Sequence, residues 1–225
     1  MKNLAIPVGV PLTTPRQHLV KNYEGPPEPL GEWQSHMNEQ NREKFRGFLR
    51  HWTPKGLFVD IGCNDGQWTF GCLAAGFSRA VAVDYDAAAL RNLREKAQKY
   101  GVTNRIQIVE CRVVPGWNRR SNDEIGFNYL LEVIQRVHEP IWYLKMDIEG
   151  DEYCILTDSP DDQWMDDVSY LNLETHGPHK WETPESGICE HHTMLEWLIS
   201  KGWDYRQSGN FMNQRRGRAE SEVDD

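Results

Sequence analysis

A chain of 225 residues with a net charge of −9 and a pI near 5.4 is long enough for one α/β domain with a full core, and its acidic balance argues against a phosphate backbone as the main partner, so no nucleic acid is expected. Five cysteines, at 63, 72, 111, 154 and 189, form no Cys-x-x-Cys and leave an odd one, which disfavours a disulfide framework and favours a reducing, cytoplasmic setting. No apolar run approaches the roughly 18 residues of a spanning helix, so no membrane is expected; Pro7 and Pro11 break the N-terminal apolar patch, which does not read as a signal peptide.

Residues 1–34, with prolines at 7, 11, 15, 26, 27 and 29, predict an extended arm or lid. A single domain is expected over residues 35–214, opening with a helix from about Ser35 to Trp52. Leu57 to Ile61 then read as a short buried strand that carries Asp60 and runs into a loop with Gly62 and Gly66. This spacing is neither the dinucleotide fingerprint nor a P-loop, because there is no third glycine and no Gly-Lys-Ser/Thr. Glycines flanked by Asp60, Asn64 and Asp65, with no lysine for phosphate, suit a cationic amino-acid ligand such as S-adenosylmethionine.

Gln67 to Gly76 supplies a helix closed by glycine, and Ala80 to Asp84 a second strand ending in a carboxylate. At that tip, doubly wound folds hold the hydroxyls of a ribose; the competing reading is that Asp84 caps the helix starting near Asp86. A helix over Ala87–Tyr100, with Leu90, Leu93 and Ala97 on one face, precedes a strand near 105–110. In Ile141 to Asp147 an apolar strand contains Lys145, with Tyr143 and Asp147 on the same face. A lysine there needs an anionic partner, either Asp147 or a carboxylate from a neighbouring strand. A strand near 169–175 and a helix around His192–Lys201 follow, and Trp203–Gln207 and Phe211–Gln214 flank Ser208-Gly209-Asn210 as a hairpin. Residues 215–225, basic and then acidic, read as a disordered tail. The pattern predicts an α/β, Rossmann-like, doubly wound and mostly parallel sheet with a C-terminal antiparallel hairpin strand.

Val59-Asp60-Ile61-Gly62-Cys63-Asn64-Asp65-Gly66 with Thr69, then Leu144-Lys145-Met146-Asp147-Ile148-Glu149-Gly150 with Glu152, resembles the FkbM family of S-adenosylmethionine-dependent methyltransferases, and Leu171 to His176 is similar to that family's next strand. The resemblance spans roughly residues 55 to 205. It implies a class I methyltransferase fold, S-adenosylmethionine as methyl donor, and transfer to a hydroxyl oxygen of a sugar, glycan or other small metabolite. The chain departs from the pattern at Asp84-Tyr85, where the family commonly has Glu-Pro, and at Cys111-Arg112, where class I enzymes often place an Asp or Asn toward the adenine.

These readings make Asp60, Gly62, Asn64, Gly66, Thr69, Asp84, Tyr85 and Cys111 the expected cofactor residues. His176 is the preferred base with Asp147 next; Glu149 and Glu174 would orient the base or bind acceptor hydroxyls, and Lys145 would hold the carboxylates in place. The loops at 112–126 and 177–190 are expected to shape the acceptor pocket. Three alternatives stand beside the main one: a Rossmann-fold binding module that has lost transfer, a nucleic-acid methyltransferase, and a metal site. The metal would be zinc at His176, His179, Cys189, His191 and His192, or magnesium at Asp147, Glu149 and Glu174; neither is the favoured expectation.

Overall fold

The computed structural model describes residues 56–116, 123–137, 140–149, 151–157, 164–174, 191–208 and 211–216. The expected arm at 1–34, the helix at 35–52 and the tail from 217 onward lie outside the described residues. The main sheet has seven strands: β1 (Leu57–Ile61), β2 (Arg79–Asp84), β3 (Ile106–Glu110), β6 (Ile141–Met146), β7 (Val168–Glu174), β8 (Trp203–Ser208) and β9 (Phe211–Arg216). A separate parallel pair, β4 (Arg112–Val114) with β5 (Glu124–Gly126), follows β3. The helices are α1 (Gln67–Ala75), α2 (Ala87–Lys99), α3 (Phe127–Val137), α4 (Glu152–Thr157), α5 (Trp164–Asp167) and α6 (His191–Ser200).

The sheet runs β3-β2-β1-β6-β7-β9-β8. The first five strands are mutually parallel, and β9 enters antiparallel between β7 and β8. The Rossmann-like sheet and its terminal antiparallel hairpin are therefore both present. β9 extends to Arg216, opposite Trp203, so Arg215 and Arg216 belong to the sheet.

β1 is buried along its whole length, as a central strand covered on both faces must be. Phe58, Ala80, Ala82 and Tyr143 face Phe70 and Leu73 of α1 and Leu90, Leu93 and Ala97 of α2. On the other side, Val59, Ile61, Val81, Val83, Leu144 and Leu171 meet Leu130 and Ile134 of α3, Ile155 of α4, Trp164 of α5 and Leu198 of α6. At roughly 1.5–3 kcal/mol for each large apolar side chain fully buried, these two layers dominate the stability. The 112–126 segment is less loop-like than its polarity suggests, because Val113 and Ile125 of the β4–β5 pair are buried in this second layer.

α2 starts at Asp86, whose carboxylate accepts from the N–H groups of Ala88 (2.7 Å) and Ala89 (3.3 Å). Asp86 is thus the cap, and Asp84 is left at the strand tip for another role.

Candidate functional site

The carboxyl ends of β1, β2 and β6 lie side by side, where open α/β sheets take their ligands. The 62–66 loop between β1 and α1 is fully engaged with its own chain. Gly62 and Cys63 donate their N–H groups to the Val83 carbonyl (2.8 and 3.1 Å), Asn64 to Asp84 Oδ2 (2.8 Å), Asp65 to Asn64 Oδ1 (2.7 Å) and Gly66 to the Cys63 carbonyl (2.9 Å). No amide from 62 to 66 is left over for a phosphate, so the loop is not an anion cradle. Lys96 of α2 holds the loop from outside, with Nζ 2.5 Å from Asp65 Oδ2.

Gly62 is required by the protein itself rather than by close passage of a ligand. Its φ is +77°, and a Cβ there would lie 1.7 Å from the Asp147 carbonyl oxygen. The β1 and β6 exits interlock at this point, with the Asp147 N–H donating to the Ile61 carbonyl (2.9 Å).

Beneath the loop lies a buried ion cluster. Parallel register sets Lys145 of β6 directly beside Asp60 of β1. Lys145 Nζ is 3.0 Å from Asp147 Oδ2 and 3.9 Å from Asp60 Oδ1, so both partners anticipated for the lysine are present. Thr69 of α1 donates its hydroxyl to Asp60 Oδ2 (2.6 Å), and the Trp68 ring centroid lies 5.8 Å from Nζ. Burial pushes the Asp60 carboxyl above its usual range, outweighing the Lys145 charge and the Thr69 hydrogen bond. Burial works against the Lys145 ammonium too, but the charges of Asp147 and Asp60 prevail and hold its pKa above the ordinary lysine value. Asp60 Oδ1 is buried and accepts no hydrogen bond.

The remaining expected residues are placed as follows. Asp84 accepts from Asn64 on one oxygen and from the Asp86 N–H (2.9 Å) on the other, which fixes its carboxylate at the β2 tip. Tyr85 beside it is 74 % exposed. Cys111 is buried in the core layer, with its N–H on the Asp84 carbonyl. Gly66 caps α1 and packs against Phe70 and Leu93. Asp147 follows β6, Glu149 is exposed with φ +62°, and Glu174 ends β7 near enough to add its charge to the field on Lys145. His176 lies outside the described residues, as do the whole 177–190 loop and the Trp117, Arg119 and Arg120 positions. Among the described residues no group of three His, Cys, Asp or Glu side chains could hold a metal ion, and no helix is long and apolar enough to cross a membrane.

Several contributing residues carry no local signal in the sequence: Trp68, Lys96, and the Arg112–Asp151 pair (2.7 Å), which joins the segment after β3 to the segment after β6. Glu152 is fully buried and accepts from the Ile148 N–H (2.7 Å), shaping the turn after Asp147. Its place in the motif already hinted at importance, though not at a structural one.

Sheet order, hairpin and the tip carboxylate define the class I fold of S-adenosylmethionine-dependent methyltransferases. Solved structures agree. The O-methyltransferase TomG of Streptomyces achromogenes, in complex with S-adenosylmethionine, superposes with a TM-score of 0.57 at 11% identity, over 85% of this chain and 90% of that one. An O-methyltransferase of Bacillus cereus with bound S-adenosylhomocysteine gives 0.52 at 11% identity, over 84% and 90%. A candidate rRNA methylase of Clostridium thermocellum gives 0.50 at 11% identity, over 81% and 98%. In sequence, 57 residues are 32% identical to the ribosomal protein L11 methyltransferase of Yersinia pseudotuberculosis, a quarter of this chain and 20% of that protein's length. No protein-family profile matches the chain.

Two expectations are thereby corrected. The FkbM assignment does not hold, since no family profile matches and the proteins found are other class I methyltransferases. Its motif residues answer structural demands: Gly62 clears the Asp147 carbonyl, Lys145 compensates Asp60, and Glu152 caps the turn after β6. The exclusion of nucleic acid also falls, because a candidate rRNA methylase shares the fold over almost its whole length. A net charge of −9 is a sum over the chain and says nothing of where its 25 lysines and arginines lie.

Proposed function

We propose that the chain binds S-adenosylmethionine across the ends of β1 and β2 and transfers its methyl group. The observation that carries this reading is the Asp84 carboxylate, fixed at the β2 tip by two backbone N–H groups, beside a glycine loop with no spare amides. Each Asp84 oxygen keeps a lone pair for a ribose diol. The donor set also fits the ligand's charge, because a buried carboxylate oxygen without a hydrogen bond suits a cation and repels a polyphosphate. Bound S-adenosylmethionine supplies an electrophilic methyl on a sulfonium.

The chain's part is then alignment and proton removal. Asp60, Gly62, Asn64, Gly66, Thr69 and Asp84 build and brace the donor site, with Tyr85 offering an exposed ring next to the ribose carboxylate. Asp147, Glu149 and Glu174 stand at neighbouring strand ends, where an acceptor would be positioned and deprotonated, and Lys145 holds Asp147 in place. His176 remains a candidate base.

For the acceptor, the likeness to a candidate rRNA methylase favours a nucleic acid. A hydroxyl of a small metabolite is the second reading, favoured by the likeness to two O-methyltransferases. Transfer of labelled methyl from S-adenosylmethionine to unmodified transcribed tRNA and rRNA, run beside a panel of hydroxylated metabolites, separates the two. Label in RNA that is lost in Asp147→Asn supports the first reading. Label confined to a metabolite replaces it with the second, and absence of S-adenosylmethionine binding by the folded protein ends both.

A further inference from the structure

Lys145 is a buried ammonium with donors to spare. It is 1 % exposed, and of its three N–H groups one is used among the described residues, on Asp147 Oδ2 at 3.0 Å. Asp60 Oδ1 lies 3.9 Å from the same Nζ, beyond hydrogen-bond reach, and accepts no hydrogen bond. An unused buried donor beside an unused buried acceptor is uncommon, because both have given up water to be there. The two carboxylates differ in what they can do without the lysine. The Asp147 side chain is 23 % exposed, so water can take the lysine's place on it. Asp60 is fully buried, and Thr69 satisfies only its Oδ2.

A shift of about 1 Å brings Nζ from 3.9 Å to an ordinary hydrogen-bond distance from Asp60 Oδ1. The flexible stem of a lysine allows that without moving β6. Asp147 stands where a bound cation would be felt, because its carbonyl oxygen lies 1.7 Å from the place a Gly62 Cβ would occupy. Resting on the assignment of the glycine loop to the methyl-donor site, we propose that Lys145 has two seats: it holds Asp147 until the donor arrives, then withdraws onto Asp60. Like charge drives the move, since a sulfonium and an ammonium beside one carboxylate repel each other strongly where water is scarce. Withdrawal leaves Asp147 facing the cleft to take the acceptor's proton, so the base is armed only once the donor is in place. Lys145 is thus a positioning residue, acting through Asp147.

Crystal structures at neutral pH test this: the wild-type protein alone, the wild-type protein with S-adenosylmethionine, and Asp147→Ala alone. In the first, Nζ is expected within about 3.2 Å of Asp147. In the complex it is expected within about 3.2 Å of Asp60 Oδ1 and beyond about 3.5 Å from Asp147. Asp147→Ala removes the first seat and should place Lys145 on Asp60 with no ligand bound. If Lys145 stays nearer Asp147 in the complex, or an ordered water bridges Nζ to Asp60 Oδ1 in every state, the two seats are refuted and the cofactor assignment stands. If Asp147→Ala leaves Nζ as far from Asp60 as before, the second seat does not exist and the proposal falls in the same way. If the folded protein binds no S-adenosylmethionine, the cofactor assignment fails and takes the coupling with it. The two wild-type structures decide the matter even if Asp147→Ala does not fold.

Discussion

Gly62→Ala is the sharpest test of how the site is built. The substitution adds one methyl group, but at φ +77° the new Cβ would lie 1.7 Å from the Asp147 carbonyl oxygen and 2.7 Å from its carbon. Both are backbone atoms at the interlocked β1 and β6 exits, so no rotamer change relieves the overlap. Restoring a minimal contact of 3.0 Å requires the two exits to part by about 1.3 Å. That movement breaks the 2.9 Å bond from Asp147 N–H to Ile61. The left-handed backbone costs about 1–2 kcal/mol for alanine, and the forced separation about 1–3 kcal/mol more, a loss of about 2–5 kcal/mol in all. Gly101→Ala is the control: its φ is +66° and nothing lies within 4 Å of an added Cβ, so only the backbone cost of about 1–2 kcal/mol should appear. Urea unfolding of both variants, read by fluorescence of the tryptophans, measures the difference. Equal losses in the two would mean that the strand exits do not interlock as described, and the structural explanation of the motif glycine would fall.

Other consequences follow from the buried cluster. Lys145→Met leaves Asp60 and Asp147 without their ammonium and should cost about 3–5 kcal/mol in urea unfolding; a neutral result would show the pair to be dispensable. Thr69→Val removes one 2.6 Å hydrogen bond to a charged, buried oxygen and should cost about 1.5–3 kcal/mol by the same assay. Lys96→Met, at a partly exposed pair, should cost no more than ~1 kcal/mol, and a larger loss would give that clamp a weight the geometry does not support. Burial holds the thiols of Cys63 and Cys72 and the phenol of Tyr143 well above their ordinary values of 9.0 and 10.0, and the charges of Asp147 and Asp60, against burial, hold Lys145 above 10.5. From pH 9 upward the unfolded chain therefore releases protons that the folded chain retains, and stability must fall as pH rises, by about 1.4 kcal/mol per pH unit for each group so displaced. Urea midpoints from pH 8 to 11 check the sign, and Cys72→Ala should flatten the slope above pH 9; a midpoint independent of pH would contradict the burial of these groups.

Features written locally in the chain were legible from its sequence. The apolar run of β1 ending beyond Asp60, the Gly76 stop of α1, the helical face of α2 and the hairpin around Ser208 each rest on residues within one element. Features that depend on distant residues were not. Nothing in the spacing joins Lys96 to Asp65 or Arg112 to Asp151, pairs separated by 31 and 39 residues. β4 and β5 are three residues each, too short for a period to declare itself. The motif resembles one tied to a family's acceptor chemistry, whereas Gly62, Lys145 and Glu152 are explained by the junction of β1 with β6. The exclusion of nucleic acid came from a whole-chain charge, a quantity with no spatial content.

The deepest illegible feature is a single residue of register. Between β1 and β6 the pairing passes from Leu57 with Ile141 to Phe58 with Tyr143, and Trp142 is skipped. Continued without the skip, Leu144 would stand beside Asp60, and Lys145 beside Ile61 on the opposite face. Asp60 would then be buried with only the Thr69 hydroxyl, and an ammonium would lie among aliphatic side chains, each costing several kcal/mol. The irregularity avoids both, and it has its own support, since the Trp142 ring packs 4.6 Å from Tyr170 and 5.3 Å from Phe77. Aromatic packing at one end of β6 thus selects the register that pairs charge at the other. The same register delivers Asp147 to the strand exit beside the glycine loop. The placement of the acceptor-side carboxylate against the donor site is in this way decided about five residues upstream, by a tryptophan that touches neither.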